Sequence, residues 1–163
     1  MKTIAIIIIL FSLLITAPTH AAPSCEATIR AAEATIRGLP TEHAVAFDAQ
    51  CNVVARFGDG LLGDVAVTGS NLAGTTITHN HSDEETLSQS DLDRAYRLDL
   101  YEIREVNPSG RVCWIHTTPG NSFVDVSEIP DSEWMAVPGS LGQAPNWYVF
   151  ARDHGLVYGC TRR

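Results

Sequence analysis

The chain has 163 residues and a formal net charge of −8, with 19 acidic residues against 11 basic ones and Lys2 as its only lysine. Such an acidic excess argues against tight, non-specific nucleic-acid binding, which depends on neutralising phosphates. It leaves room for a nuclease with a local basic groove, and the length suits one domain with its own core.

The N-terminus reads as a targeting segment. Lys2 supplies a positive start, Ile4 to Ile15 are almost wholly apolar, and Thr19-His20-Ala21 offers small residues at positions minus three and minus one. Cleavage is expected after Ala21, within residues 1–21 as a signal peptide. The apolar run falls short of the roughly 20 residues of a membrane span, so no stable membrane anchor is expected. The mature chain, residues 22–163, is then exported, to a periplasm or outside the cell. Four cysteines, Cys25, Cys51, Cys113 and Cys160, read as two disulfides in an oxidising compartment. Zinc–thiolate ligation is the rival reading, but no two of them form a C-x-x-C pair.

Residues 25–37 carry a heptad echo, Glu26-Ala27-Thr28-Ile29-Arg30 and then Glu33-Ala34-Thr35-Ile36-Arg37. Ser24 can cap this segment, Gly38 and Pro40 end it, and Ile29 and Ile36 share a face. It predicts an amphipathic helix packed on a sheet. Glu42 to Asp48 alternates weakly, Ala49-Gln50-Cys51-Asn52 turns the chain, and Val53 to Phe57 returns as the second strand of a hairpin. A helix of about 12 residues spans roughly 18 Å and a strand of about 7 roughly 23 Å. If the helix lies back along the strand, Cys25 meets the hairpin tip at Cys51. That leaves Cys113 to pair with Cys160.

Gly58 to Gly63 reads as loop, Val65-Ala66-Val67 as a short strand, and Thr75 to Thr78 as a β-branched run ending at His79. An acidic loop, Ser82 to Leu87, leads to a helix from Ser88 or Ser90 through Leu98. Tyr101 to Val106 and Arg111 to Thr117 read as strands about the turn Asn107-Pro108-Ser109-Gly110. Beyond Pro119 the pattern weakens, with a short helix at Ser127 to Met135 and one or two elements over Trp147 to Tyr158. The expected fold is α+β: a single domain with a mixed or antiparallel sheet, an N-terminal helix, and a helix after the His-x-His strand.

The chemistry concentrates at His79-Asn80-His81. Residues i and i+2 of a strand project to the same side, so both rings can reach one ion. Asp91, ten positions beyond His81, can return at a helix start and close a three-ligand N/O site. Such a site leaves one coordination position for water. Each part also has a plainer reading. A lone H-x-H is often two polar residues at a strand exit, and Ser88-x-x-Asp91 is also a capping box. Glu42 leads the strand before the histidines, where a glutamate is usually just exposed. His43 points away from Glu42. His116 and His154 read as core or surface residues, and Trp114, Trp134, Trp147 and Tyr148 suit a core or a carbohydrate-stacking surface.

Glu42, His79-x-His81 and Ser88-x-x-Asp91 together resemble the JAB/JAMM metalloprotease motif. Thr78-His79-Asn80-His81 is similar to the T-H-N-H-P of bacterial DNA-repair-associated JAB domains. Closer still are C-terminal domains of phage head-morphogenesis and toxin-like proteins. These share a glutamate-led strand, T-H-N-H, S-x-x-D and an L-x-E-I-R-x-V strand, here Leu100 to Val106. The resemblance covers about residues 42–115. Ser82 stands where the family has proline, and six residues rather than seven separate His81 from Ser88.

The resemblance implies a zinc-dependent hydrolase of amide or isopeptide bonds, acting on a protein or a peptide-like polymer. His79, His81 and Asp91 would hold zinc. Glu42 would take a proton from the activated water and pass it to the leaving amine, and Ser88 would donate to the developing oxyanion. Two other readings stay open. A secreted toxin or effector nuclease would gather Arg56, Arg94, Arg97, Arg104 and Arg111 near the histidines. A non-catalytic binding domain would let Glu42 point away from them.

Overall fold

Ser24 accepts a hydrogen bond from the Ala27 N–H at 3.3 Å and so starts helix α1, Cys25–Ile36. This is where a computed structural model begins to describe the chain; it covers residues 24–58, 71–81, 86–130 and 146–161. The expected signal peptide, the Val65-Ala66-Val67 strand, most of the acidic loop and Trp134 lie outside the described residues. No helix among the described residues is long and apolar enough to cross a membrane.

Six strands form one mixed sheet: β1 (Ala44–Phe47), β2 (Val53–Phe57), β3 (Thr76–Asn80), β4 (Glu102–Val106), β5 (Val112–Thr117) and β6 (Leu156–Cys160). Their spatial order is β2-β1-β3-β4-β5-β6. Every neighbouring pair is antiparallel except β3 and β4, which are parallel and joined through helix α2, Gln89–Arg97. A parallel pair needs such a crossover, and its helix starts beside the end of the strand before it. That connection returns Asp91 to the histidines. Beyond β5, the helix expected at Ser127 to Met135 is a 3-10 turn, Val126–Glu128, within the described residues. Helix α3, Trp147–Asp153, then leads into β6.

Register partners share a face of the sheet, and residues alternate along each strand. Val45, Phe47, Val106 and Val112 therefore point one way, where they pack with Ile29, Ala32 and Ile36 of α1. Burying each of these isoleucines is worth roughly 1.5–3 kcal/mol. Ala44, Ala46, Ile77, Ile103 and Ile115 point the other way, into a larger core with Leu92 and Ala95 of α2 and Trp147 and Phe150 of α3. The sheet is thus covered by helices on both sides.

Both disulfides join the expected cysteines. Asp48 accepts from the backbone N–H of Gln50 and Asn52 at 2.9 and 2.8 Å, tightening the β1–β2 turn. Cys51 sits there with φ +66 and bonds to Cys25 at the start of α1. Cys113 and Cys160 are register partners in β5 and β6. Two disulfides are compatible with an extracellular location.

The α1 side also holds a buried ion cluster. Arg104 donates to Glu33 at 2.8 Å, and to Glu26 and Glu102 at 3.0 Å each. Its guanidinium lies 5.6 Å above the Trp114 ring centroid. Gly159 makes room for that ring, since a Cβ there would meet Trp114 at 2.5 Å. The glutamates of the heptad echo are thus the residues that tie α1 to the centre of the sheet.

Candidate metal centre

His79 is the penultimate residue of β3, on the α2 side of the sheet and completely buried. His81 follows just beyond the strand, its backbone N–H donating to the Val106 carbonyl at 3.1 Å, so the parallel pairing with β4 runs on past Asn80. This regular backbone brings the two rings to one point. Their Nε2 atoms lie 3.1 Å apart. Asp91 completes the group, with Oδ1 at 3.3 Å from His79 Nε2 and Oδ2 at 3.7 Å from His81 Nε2.

One ligand atom from each of the three residues lies within 4.8 Å of the others, a group that could hold a metal ion. Tetrahedral ligands bound at 2.0–2.1 Å are separated from each other by about 3.3 Å. The two imidazole nitrogens are 3.1 Å apart, close to that edge length, and the two carboxylate oxygens of Asp91 each face one ring, Oδ1 at 3.3 Å from His79 and Oδ2 at 3.7 Å from His81.

Electrostatics hold the group together. Burial opposes charge on the His79 ring, yet Asp91, assisted by Glu105 and Glu42, outweighs it and holds the imidazole above its ordinary range. For Asp91 burial again opposes charge, while His79, Ser88 and His81 hold its carboxyl well below the usual carboxylate range. Arg94, one turn on in α2, adds its Nη1 at 3.7 Å from Asp91 Oδ1.

Ser88 serves the helix and the carboxylate at once. Its hydroxyl and backbone N–H donate to Asp91 Oδ2 at 2.7 and 2.8 Å, and its Oγ accepts from the Asp91 N–H at 3.3 Å. The capping box is therefore formed, and the same bonds orient Asp91 toward the histidines. The Ser90 hydroxyl lies 2.7 Å from Ser88 Oγ.

Glu42 precedes β1. Ala44 pairs with His79, and the Asn80 N–H donates to the His43 carbonyl at 3.1 Å. Carrying that register on by one residue sets Glu42 opposite His81, on the face that bears both histidines. Its charge is among those felt by His79. The arginines are not gathered in the same way. Arg104 and Arg56 belong to the α1 face, Arg97 pairs with Asp93 at 2.9 Å, and Arg111 reaches Cys160 Sγ at 3.5 Å, leaving Arg94 beside Asp91.

Two residues of the site's surroundings have no role in the sequence reading. Asn80, buried between the histidines in sequence, turns to the α1 face, where its amide donates to the Leu39 and Thr41 carbonyls at 3.2 and 3.1 Å. Its Oδ1 accepts from the His43 N–H at 2.6 Å. Glu105 pairs in register with His79 and is 1% exposed. The charged pair Arg104-Glu105 inside a strand is the sequence signal that could have singled out Glu105. Of the other histidines, His116 pairs with Glu102 on the opposite face and stacks on Tyr101, and His154 packs on Phe150.

Compared with protein-family models, with curated proteins and with solved structures, the chain matches none.

Proposed function

We propose that this chain is an exported zinc-dependent hydrolase of amide or isopeptide bonds, of the JAB/JAMM type. The observation that carries the reading is the convergence of His79 Nε2, His81 Nε2 and an Asp91 oxygen within 4.8 Å. Two nitrogens and one oxygen suit zinc, and three protein ligands leave a fourth position for reactants, as catalytic zinc sites do. Bound there, zinc would supply Lewis acidity and make water acidic enough to attack near neutral pH.

The chain's own residues supply the rest. Glu42, on the histidine face of the sheet, would take the proton from water and return it to the leaving amine. Ser88 keeps Asp91 turned toward the histidines. A hydrogen bond from Ser88 to a developing oxyanion would require its hydroxyl to turn from Asp91, with the Ser90 hydroxyl close enough to take up the freed Oγ. Export accords with the two disulfides. The five-arginine groove of the nuclease reading is not gathered at the site, so peptide chemistry is preferred.

Metal analysis by mass spectrometry tests this on protein purified after export, beside H81A. Near-stoichiometric zinc in the wild type and its loss in H81A would justify screens of peptide and isopeptide substrates. A folded wild type that holds no metal when zinc is supplied would end the reading.

A further inference from the structure

His79 directs Nε2 at Asp91 and His81, and its other nitrogen, Nδ1, is a buried atom with no hydrogen-bond partner. A ligating histidine needs that second nitrogen engaged, because the N–H there fixes the tautomer that offers its lone pair at Nε2. Candidates are few for a ring that is 0% exposed. Asp91 lies on the Nε2 side. On β4, the register partner of His79 is Glu105, 1% exposed and facing the same side of the sheet. Adjacent strands lie about 4.8 Å apart, and the two methylenes of a glutamate span to a neighbouring imidazole. The pairing that sets these two side by side continues to the bond between the His81 N–H and the Val106 carbonyl.

We propose that Glu105 is the positioning residue of the metal centre: its carboxylate accepts the Nδ1–H of His79 and so fixes the ring with Nε2 toward the ion. The proposal rests on the zinc reading above and extends it from three ligands to the residue that orients one of them.

The test compares the wild type, E105A and E105Q, each purified after export. Zinc affinity is measured by competition with a chelator, and the imidazole Nδ1–H is followed by nitrogen-15 NMR in the zinc-loaded proteins. The wild type is expected to show a downfield, hydrogen-bonded His79 Nδ1–H. E105A is expected to lose that signal and bind zinc about 10–100-fold more weakly, the usual effect of removing such a partner. E105Q, whose amide oxygen still accepts, is expected to recover most of the affinity with the resonance moved upfield. Wild-type affinity and an unmoved resonance in E105A would overturn the role of Glu105 and leave the zinc reading standing. If E105A does not fold, E105Q decides, since an unmoved resonance there overturns the role equally. A wild type that binds no zinc overturns both.

Discussion

The His43 backbone N–H donates to Asn80 Oδ1 at 2.6 Å, so the residue between the two histidines grips the segment that carries Glu42. The Asn80 amide holds the same segment from two more points, the carbonyls of Leu39 and Thr41. One side chain, fully buried, thereby ties the segment that carries Glu42 to the strand end that carries His79 and His81.

Replacing Asn80 by alanine should therefore separate two effects. Three hydrogen bonds are lost from a part-buried site, a cost of about 1.5–4 kcal/mol from bonds worth roughly 0.5–1.5 kcal/mol each. Zinc affinity should stay near wild type, because His79, His81 and Asp91 keep their own supports. On the proposed function, hydrolysis should fall further than stability alone explains, since a displaced Glu42 would be poorly aligned as the base. Urea unfolding beside chelator competition checks the first two expectations. A loss of zinc in N80A as deep as in H81A would contradict this division of labour.

Much of this was legible in the residues before any coordinates. Ser24, Gly38 and Pro40 bound α1, Asp48 to Asn52 makes the hairpin turn, and Ser88-x-x-Asp91 caps α2, because each signal acts within a few residues of chain. The pairing of Cys25 with Cys51 followed from helix and strand lengths. His79, His81 and Asp91 were readable as a group because strand alternation and a helix start are local rules. Register between strands is not local. Only the pairing of β3 with β4 sets Glu105 beside His79 and sends Arg104 to the far side. The acidic stripe of the heptad echo was visible at Glu26 and Glu33, but its partner is Arg104, 71 residues beyond Glu33.

Acidity should act on the centre in opposite senses with and without metal. In chelator-treated protein, Asp91 outweighs burial and raises the His79 ring above its unfolded value of 6.5. The contribution of His79 to stability is then complete below that value and is lost as pH rises through the higher folded one. Asp91 is held below its unfolded value of 3.8, so its contribution is present above that value and is lost as pH falls through the folded one. The pair therefore stabilises the metal-free fold best between about 4 and 6.5 and fades toward alkaline pH. On the proposed function zinc would have to displace the His79 proton, so its stabilising effect should grow across that same alkaline window. Melting curves with and without zinc, from mildly acidic to mildly alkaline buffer, measure both trends. A zinc-induced shift that shrinks as pH rises would contradict the assignment of His79 as a ligand.

Arg104 and Glu105 are neighbours in β4, and the alternation of the strand gives them unrelated duties. Arg104, with 4% of its side chain exposed, neutralises Glu33 and Glu102 and holds Glu26 of α1. Arg104→Met would leave Glu33 buried with only the Thr78 hydroxyl at 3.2 Å and Arg30 at 3.4 Å. Stranding one partner of a buried ion pair typically costs about 3–5 kcal/mol. Adding Glu33→Gln to the same chain should restore part of that loss, since the charge with the least solvent is then gone. Neither change touches the face that bears His79 and His81, so zinc affinity in the folded protein should hold. Denaturant midpoints and chelator competition on R104M and the double variant check both halves. If R104M weakened zinc binding as E105A is expected to, the two faces of β4 would not be independent, and the separation of fold from site argued from the sheet register would fail.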